Sequence, residues 1–165
     1  MATSEMVLYD EEFQRIKDTI QRLRTEANAV LVFIVDKNGQ QIAANGEIEN
    51  MDTTSLASLT AGNVAATDGL ARLIGEKDFT NLFHEGEKEN ILITVVGKRV
   101  ILVVIFDDRT SLGLVRLRVK KAAGELEQVF EDIQKKAETE RERDSSLESP
   151  FAEITDEDID SLFSE

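Results

Sequence analysis

The sequence predicts an α/β sandwich of element order αββαβββα: five strands in one mainly antiparallel sheet between helices, followed by a tail with a short helix. Three observations predict it. Apolar residues recur at spacings of three and four in Phe13, Ile16, Ile20 and Leu23, they run almost unbroken through 29–36 and 90–106, and tight-turn residues stand between those runs at Lys37-Asn38-Gly39 and Gly97-Lys98. The first pattern buries one face of a helix. The second suits strands covered on both faces, and the third folds neighbouring strands into hairpins.

Residues 10–27 read as the first helix, and 29–36 (AVLVFIVD) as the first strand, with Gln41 to Ala44 returning as its hairpin partner. Asp52-Thr53-Thr54-Ser55 opens the second helix with side chains that cap free N–H groups. Its expected buried stripe is Leu56, Leu59, Thr67, Leu70 and Ile74, with Asn63 among them. The opposite face holds Ser58, Ala61, Gly62, Ala65, Asp68, Gly69 and Arg72. Solvent-facing helix positions ordinarily carry long charged side chains, and Gly costs about 1 kcal/mol against Ala. Small side chains there admit a second backbone, either of the same domain or of a partner. Residues 76–87, with His84 and Gly86, read as a polar loop. Asn90–Val96 and Arg99–Phe106 form a long apolar hairpin. In 113–120, Val115, Leu117 and Val119 alternate with Arg116 and Arg118, the pattern of a fifth strand. A last helix over about 121–140 carries Ala122, Leu126, Val129, Phe130 and Ile133 as its stripe.

At 165 residues and 18.4 kDa, this makes one domain at 1–140, a flexible linker at 141–150 and a partner-binding tail at 151–165. Charge supports the division. Residues 1–123 carry 18 acidic and 15 basic side chains, whereas 124–165 carry 15 and 4. The tail reads as a short helix opened by Thr155, with Asp158 at the capping-box position and Ile154 and Ile159 at the staple spacing. Ile159, Leu162 and Phe163 then share a face. About nine residues make a marginal helix alone, so the segment folds against an apolar groove, on a partner or on its own domain.

Composition excludes several functions. With no cysteine and one histidine, the chain lacks thiolate metal sites, a cysteine nucleophile and most histidine-built centres. A net charge of −14 disfavours nucleic acid and anionic membranes. No run is long enough to cross a bilayer, and Met1 to Asp10 has no signal-peptide pattern, so a cytoplasmic setting is expected. The phosphate-cradling, dinucleotide and zinc-protease motifs are missing. Asp107-Asp108-Arg109 reads as a polar turn, and His84 as a solvated loop residue. Arg72, Arg99 and Arg109 could each stabilise charge as an arginine finger, with nothing to prefer one. No catalytic residue, cofactor or metal site is expected.

Several strings carry a resemblance: VDKNGQ at 35–40, DTTSLASLTAGNVAA at 52–66, LIGE at 73–76, FHEG at 83–86, VVIFDDRTSLGLVRLRVKKA at 103–122 and SPFAEITDEDIDSLFSE at 149–165. Through them the chain resembles the roadblock/dynein light-chain family, and within it the bacterial MglB-type proteins, over nearly its whole length. The resemblance implies a roadblock-type sandwich that forms homodimers through edge pairing of the third strand, with the second helices side by side. That strand is here about 90–96, with Ile91, Leu92, Ile93, Thr94 and Val95. It implies a Ras-like small GTPase of the MglA type as partner, bound on the small-residue face of helix two. GTP hydrolysis would be accelerated by holding the switch loops in place, without an arginine from the dimer. The tail residues Phe151, Ile154, Ile159, Leu162 and Phe163 would bind the same GTPase away from the nucleotide and modulate exchange. The implied setting is control of cell polarity and motility, with the protein concentrated at a cell pole. The alternative is a non-catalytic roadblock dimer that scaffolds a GTPase or a transport complex.

Overall fold

The computed structural model describes residues 10–147. Its elements are α1 (Asp10–Ala27), β1 (Leu31–Asp36), β2 (Gln41–Gly46), α2 (Thr53–Ile74), β3 (Asn81–Glu85), β4 (Asn90–Val96), β5 (Val100–Phe106) and α3 (Leu112–Leu147). The strands form one antiparallel sheet in the order β2-β1-β5-β4-β3. Alternation along β1 and β5 splits the core. Val32, Ile34, Leu102 and Val104 pack under α1 and α3, while Leu31, Phe33, Val35, Ile101 and Val103 pack under α2. Both faces are covered, which is why these two strands read as unbroken apolar runs. Among the described residues no helix is long and apolar enough to cross a membrane.

The element order agrees with expectation, but the fifth strand lies elsewhere. Residues 113–120 are helical, inside the 36-residue α3. Val115, Val119, Ala122 and Leu126 recur at helical spacing and are all buried, so a long helical stripe outweighs five residues of alternation. Ser111 supports the start, its hydroxyl accepting from the Leu114 N–H at 3.3 Å. The missing strand is β3, expected as a loop. It is an edge strand with no fully buried residue, so it shows almost no apolar signal. α3 also continues to Leu147, through most of the expected linker. The expected tail contacts at Phe151, Ile154, Ile159, Leu162 and Phe163 lie outside the described residues.

A second correction concerns the dimer strand. Ile91, Leu92, Ile93, Thr94 and Val95 belong to β4, which is paired to β5 on one side and β3 on the other. An interior strand has no free ladder to offer a twin. Among the described residues the open edges of the sheet are β2 and β3.

The α1–α3 layer is closed by ion pairs spaced along two antiparallel helices. Glu26 meets Arg118 at 3.7 Å, Arg22 meets Glu125 at 2.9 Å, and Arg15 meets Asp132 at 2.9 Å. Glu12, almost fully buried, pairs with Lys136. The Lys136 ammonium lowers the Glu12 carboxyl below its ordinary range, and the Arg15 guanidinium does the same to Asp132. Depressed native values mean that the unfolded chain binds more protons in acid. The pairs therefore stabilise above about pH 4, and that stability is lost as pH falls through the native values. Thermal melts at pH 7 and pH 3.5 should show the loss, and Asp132→Asn should shrink it. An equal loss in the variant would place the acid sensitivity elsewhere.

Candidate partner interface

α2 starts where Asp52 accepts from the Ser55 N–H at 3.0 Å and from its hydroxyl at 2.6 Å. The Ser55 hydroxyl lowers the Asp52 carboxyl below its usual range. The helix ends at Gly75, whose φ of 80° is the left-handed cap that glycine adopts without strain. Between these caps the buried line is Ala57, Thr60, Ala61, Val64, Thr67 and Ala71. Small side chains let the helix settle close to the sheet. Two polar members are satisfied locally: the Thr60 hydroxyl donates to the Leu56 carbonyl at 2.7 Å and Thr67 to Asn63 at 2.8 Å.

This reverses the expected orientation of one stripe. Leu59, Leu70 and Ile74 are 73%, 59% and 67% exposed, and Leu73, not singled out from the sequence, is 83% exposed. Leu56 and Asn63 are half-buried, and of the expected stripe only Thr67 is fully buried. A core-facing stripe and an interface-facing stripe have the same periodicity, so spacing alone could not separate them. The small-residue set divides as well. Ser58, Gly62, Ala65 and Arg72 are exposed, Asp68 and Gly69 are half-buried, and Ala61 is buried under the β1–β2 turn. That turn comes close: a Cβ on Gly39 (φ +90°) would stand 3.3 Å from the Ser58 Cα and 3.7 Å from the Ala61 Cβ. Positions 62 and 69 face open space.

Two flanks of α2 therefore differ. At 100° per residue, Leu56, Asn63, Leu70 and Ile74 share one flank. The Asn63 amide lies 3.3 Å from His84 Nε2 on β3, so this flank looks towards the open β3 edge. Leu82, Ile91 and Val95, all half-buried, belong to the apolar layer on the same side of the sheet. The other flank, with Ser58, Ala65 and Arg72, looks towards the β1–β2 turn. Adjoining exposed apolar side chains on this scale mark a contact surface. The neighbouring polar turn offers no comparable chemistry. Arg109 is turned onto Asp107 at 2.9 Å and holds its carboxyl below the ordinary range. Among the described residues no group of three or more His, Cys, Asp or Glu could hold a metal ion.

The Roadblock/LC7 domain profile matches residues 15–106. Myxococcus xanthus MglB is 62% identical, over 77% of this chain and 96% of its own, with a TM-score of 0.74. The Thermus thermophilus structure described as gliding protein MglB is 30% identical, over 78% and 97%, with a TM-score of 0.73. A structure described as MglB with tetrameric arrangement is also 30% identical, over 78% and 97%, with a TM-score of 0.74. With the profile spanning more than half of the sequence and these structures matching over 77–78% of it, the chain belongs to the Roadblock/LC7 domain family and is a roadblock-domain protein of the MglB type.

Proposed function

We propose that the chain is a homodimeric regulator that accelerates GTP hydrolysis by a Ras-like small GTPase of the MglA type, in a switch controlling cell polarity and motility. The observation that carries this reading is the apolar row Leu59, Leu70, Leu73 and Ile74, exposed beside an open sheet edge on a chain 62% identical to a Myxococcus MglB. The Thermus relative's description as a gliding protein supports the motility setting. A row next to an unpaired edge is self-complementary under a two-fold axis, so β3 and the Leu70 flank are assigned to the dimer contact. β4 lies beside β3 as the next strand of the sheet. The outer surface around Gly62 and Ala65 is left for the GTPase. Activation then comes from fixing the partner's switch loops, with the arginine supplied by the GTPase itself. The protein acts in the cytoplasm and gathers at a cell pole.

Two measurements test this. Light scattering at micromolar concentration should report about twice 18.4 kDa, and a monomer would sink the shared surface. Single-turnover hydrolysis by the GTPase should accelerate roughly a hundredfold, the scale lost when reacting groups are misplaced by about 1 Å. Binding without acceleration would make the protein a scaffold. The tail is tested separately: truncation after Ser149 should weaken affinity for the GTPase and leave the melting temperature unchanged. A lower melting temperature with unchanged affinity would mean that 151–165 packs on its own domain.

A further inference from the structure

The β3 edge specifies how a second copy can join it. The Val95 N–H donates to the Thr80 carbonyl at 2.9 Å, and the Gly86 N–H donates to Glu89 at 3.1 Å. Hydrogen bonds alternate along an antiparallel pair, so even-numbered residues turn their backbone groups to β4. Asn81, Phe83 and Glu85 then present theirs to the open edge. A symmetric pairing that uses all five residues of β3 centres on Phe83. It sets Asn81 opposite the partner's Glu85 and Gly86 opposite the partner's Thr80, which brings the partner's Phe79 to the β3–β4 turn at Glu87 and Lys88.

A cleft of about 370 Å³ opens there, between the β3–β4 turn and the loop from β5 to α3. Its lining includes Phe83, Phe106 and Leu112, the two rings stacked at 6.2 Å. Glu85, Glu87, Asp107 and Asp108 also line it with one cation, Lys88, and Asp107 is already paired with Arg109. Phe79 is half-buried yet belongs to neither apolar layer of the core, and by alternation it shares a sheet face with Phe83. We propose that this cleft is a socket for the partner's Phe79, with the partner's Lys77 against its acidic rim. Rings and Leu112 supply an apolar floor, and a cavity of about 150 Å³ already accommodates a benzene ring. Two chains of charge −14 repel each other, and a lysine set against carboxylates, repeated on both sides of the axis, offsets part of that repulsion locally.

The inference rests on the homodimer reading, and the experiment keeps the two separable. Sedimentation equilibrium of the full chain first asks whether it is a dimer; a monomer removes the homodimer reading and the socket with it. If it is a dimer, Phe79→Ala should raise the dissociation constant by at least about tenfold, as for an anchor in a desolvated pocket. Lys77→Glu should weaken the dimer, and Lys77→Glu combined with Glu87→Lys should recover it. Since the chain has no cysteine, the pair Phe79→Cys and Glu87→Cys reports the register directly, by a covalent dimer on mild oxidation. Faster cross-linking of Phe79→Cys with Glu85→Cys or Glu89→Cys would overturn the socket while leaving the dimer standing. So would a Phe79→Ala variant that associates as tightly as the parent.

Discussion

Arginine at both positions 62 and 65 of α2 is expected to abolish the stimulation of GTP hydrolysis, a loss of roughly a hundredfold, without harming the fold. The backbone at Gly62 faces open space and Ala65 is exposed, so both side chains enter solvent in the free protein. Replacing Gly in a helix removes a cost of about 1 kcal/mol, so the melting temperature should hold or rise. At the bound surface the same side chains stand where a second backbone must come close. Ala61→Arg is the contrast. One position away, Ala61 is buried between α2 and the β1–β2 turn, and a guanidinium there should unfold the domain. Full stimulation by the Gly62→Arg, Ala65→Arg variant would move the GTPase to another face.

The same helix shows where sequence reading succeeds and where it stops. The N-terminal cap and the presence of an apolar stripe in α2 were legible, because Asp52 and the leucine spacing are local signals. Which stripe meets the sheet was not. Leu59, Leu70 and Ile74 are as apolar as core residues although exposed, whereas Ala57 and Ala61 are small because α2 lies close to β1. The errors at 81–85 and 113–120 share a cause. An edge strand has only one neighbour and so buries little, as Asn81–Glu85 shows. Conversely, the first turns of α3 satisfy period two and period four together through Val115 and Val119. With so little apolar signal in β3, the sequence hides the open edge, and the third apolar strand it displays is the interior β4. The central strands carried no such ambiguity, since β1 and β5 are buried on both faces and their β-branched runs fit no amphipathic helix.

Phe33→Ala and Leu102→Ala should each lower the melting temperature strongly, and only the first should also weaken the GTPase contact. Phe33, 2% exposed on β1, packs in the layer under Ala57, Ala61 and Val64 of α2, and its truncation should cost about 3–5 kcal/mol. Leu102, fully buried on β5, packs under α1 and α3, and its truncation should cost about 2–5 kcal/mol. For a chain of this size either loss corresponds to a melting-temperature drop of roughly 10 °C. The two residues are close in the sheet, since Phe33 pairs with Val103 and Ile34 with Leu102, but they face opposite layers. Removing Phe33 leaves a void beneath the helix that carries Gly62 and Ala65, and α2 can relax into it only by moving its outer surface. Removing Leu102 disturbs the layer clasped by Arg15–Asp132 and Arg22–Glu125, which the GTPase does not touch in this reading. Affinity for the GTP-loaded partner, titrated at a temperature where both variants are folded, separates the cases. Equal weakening by both would mean that the contact depends on global stability, and not on the seat of α2.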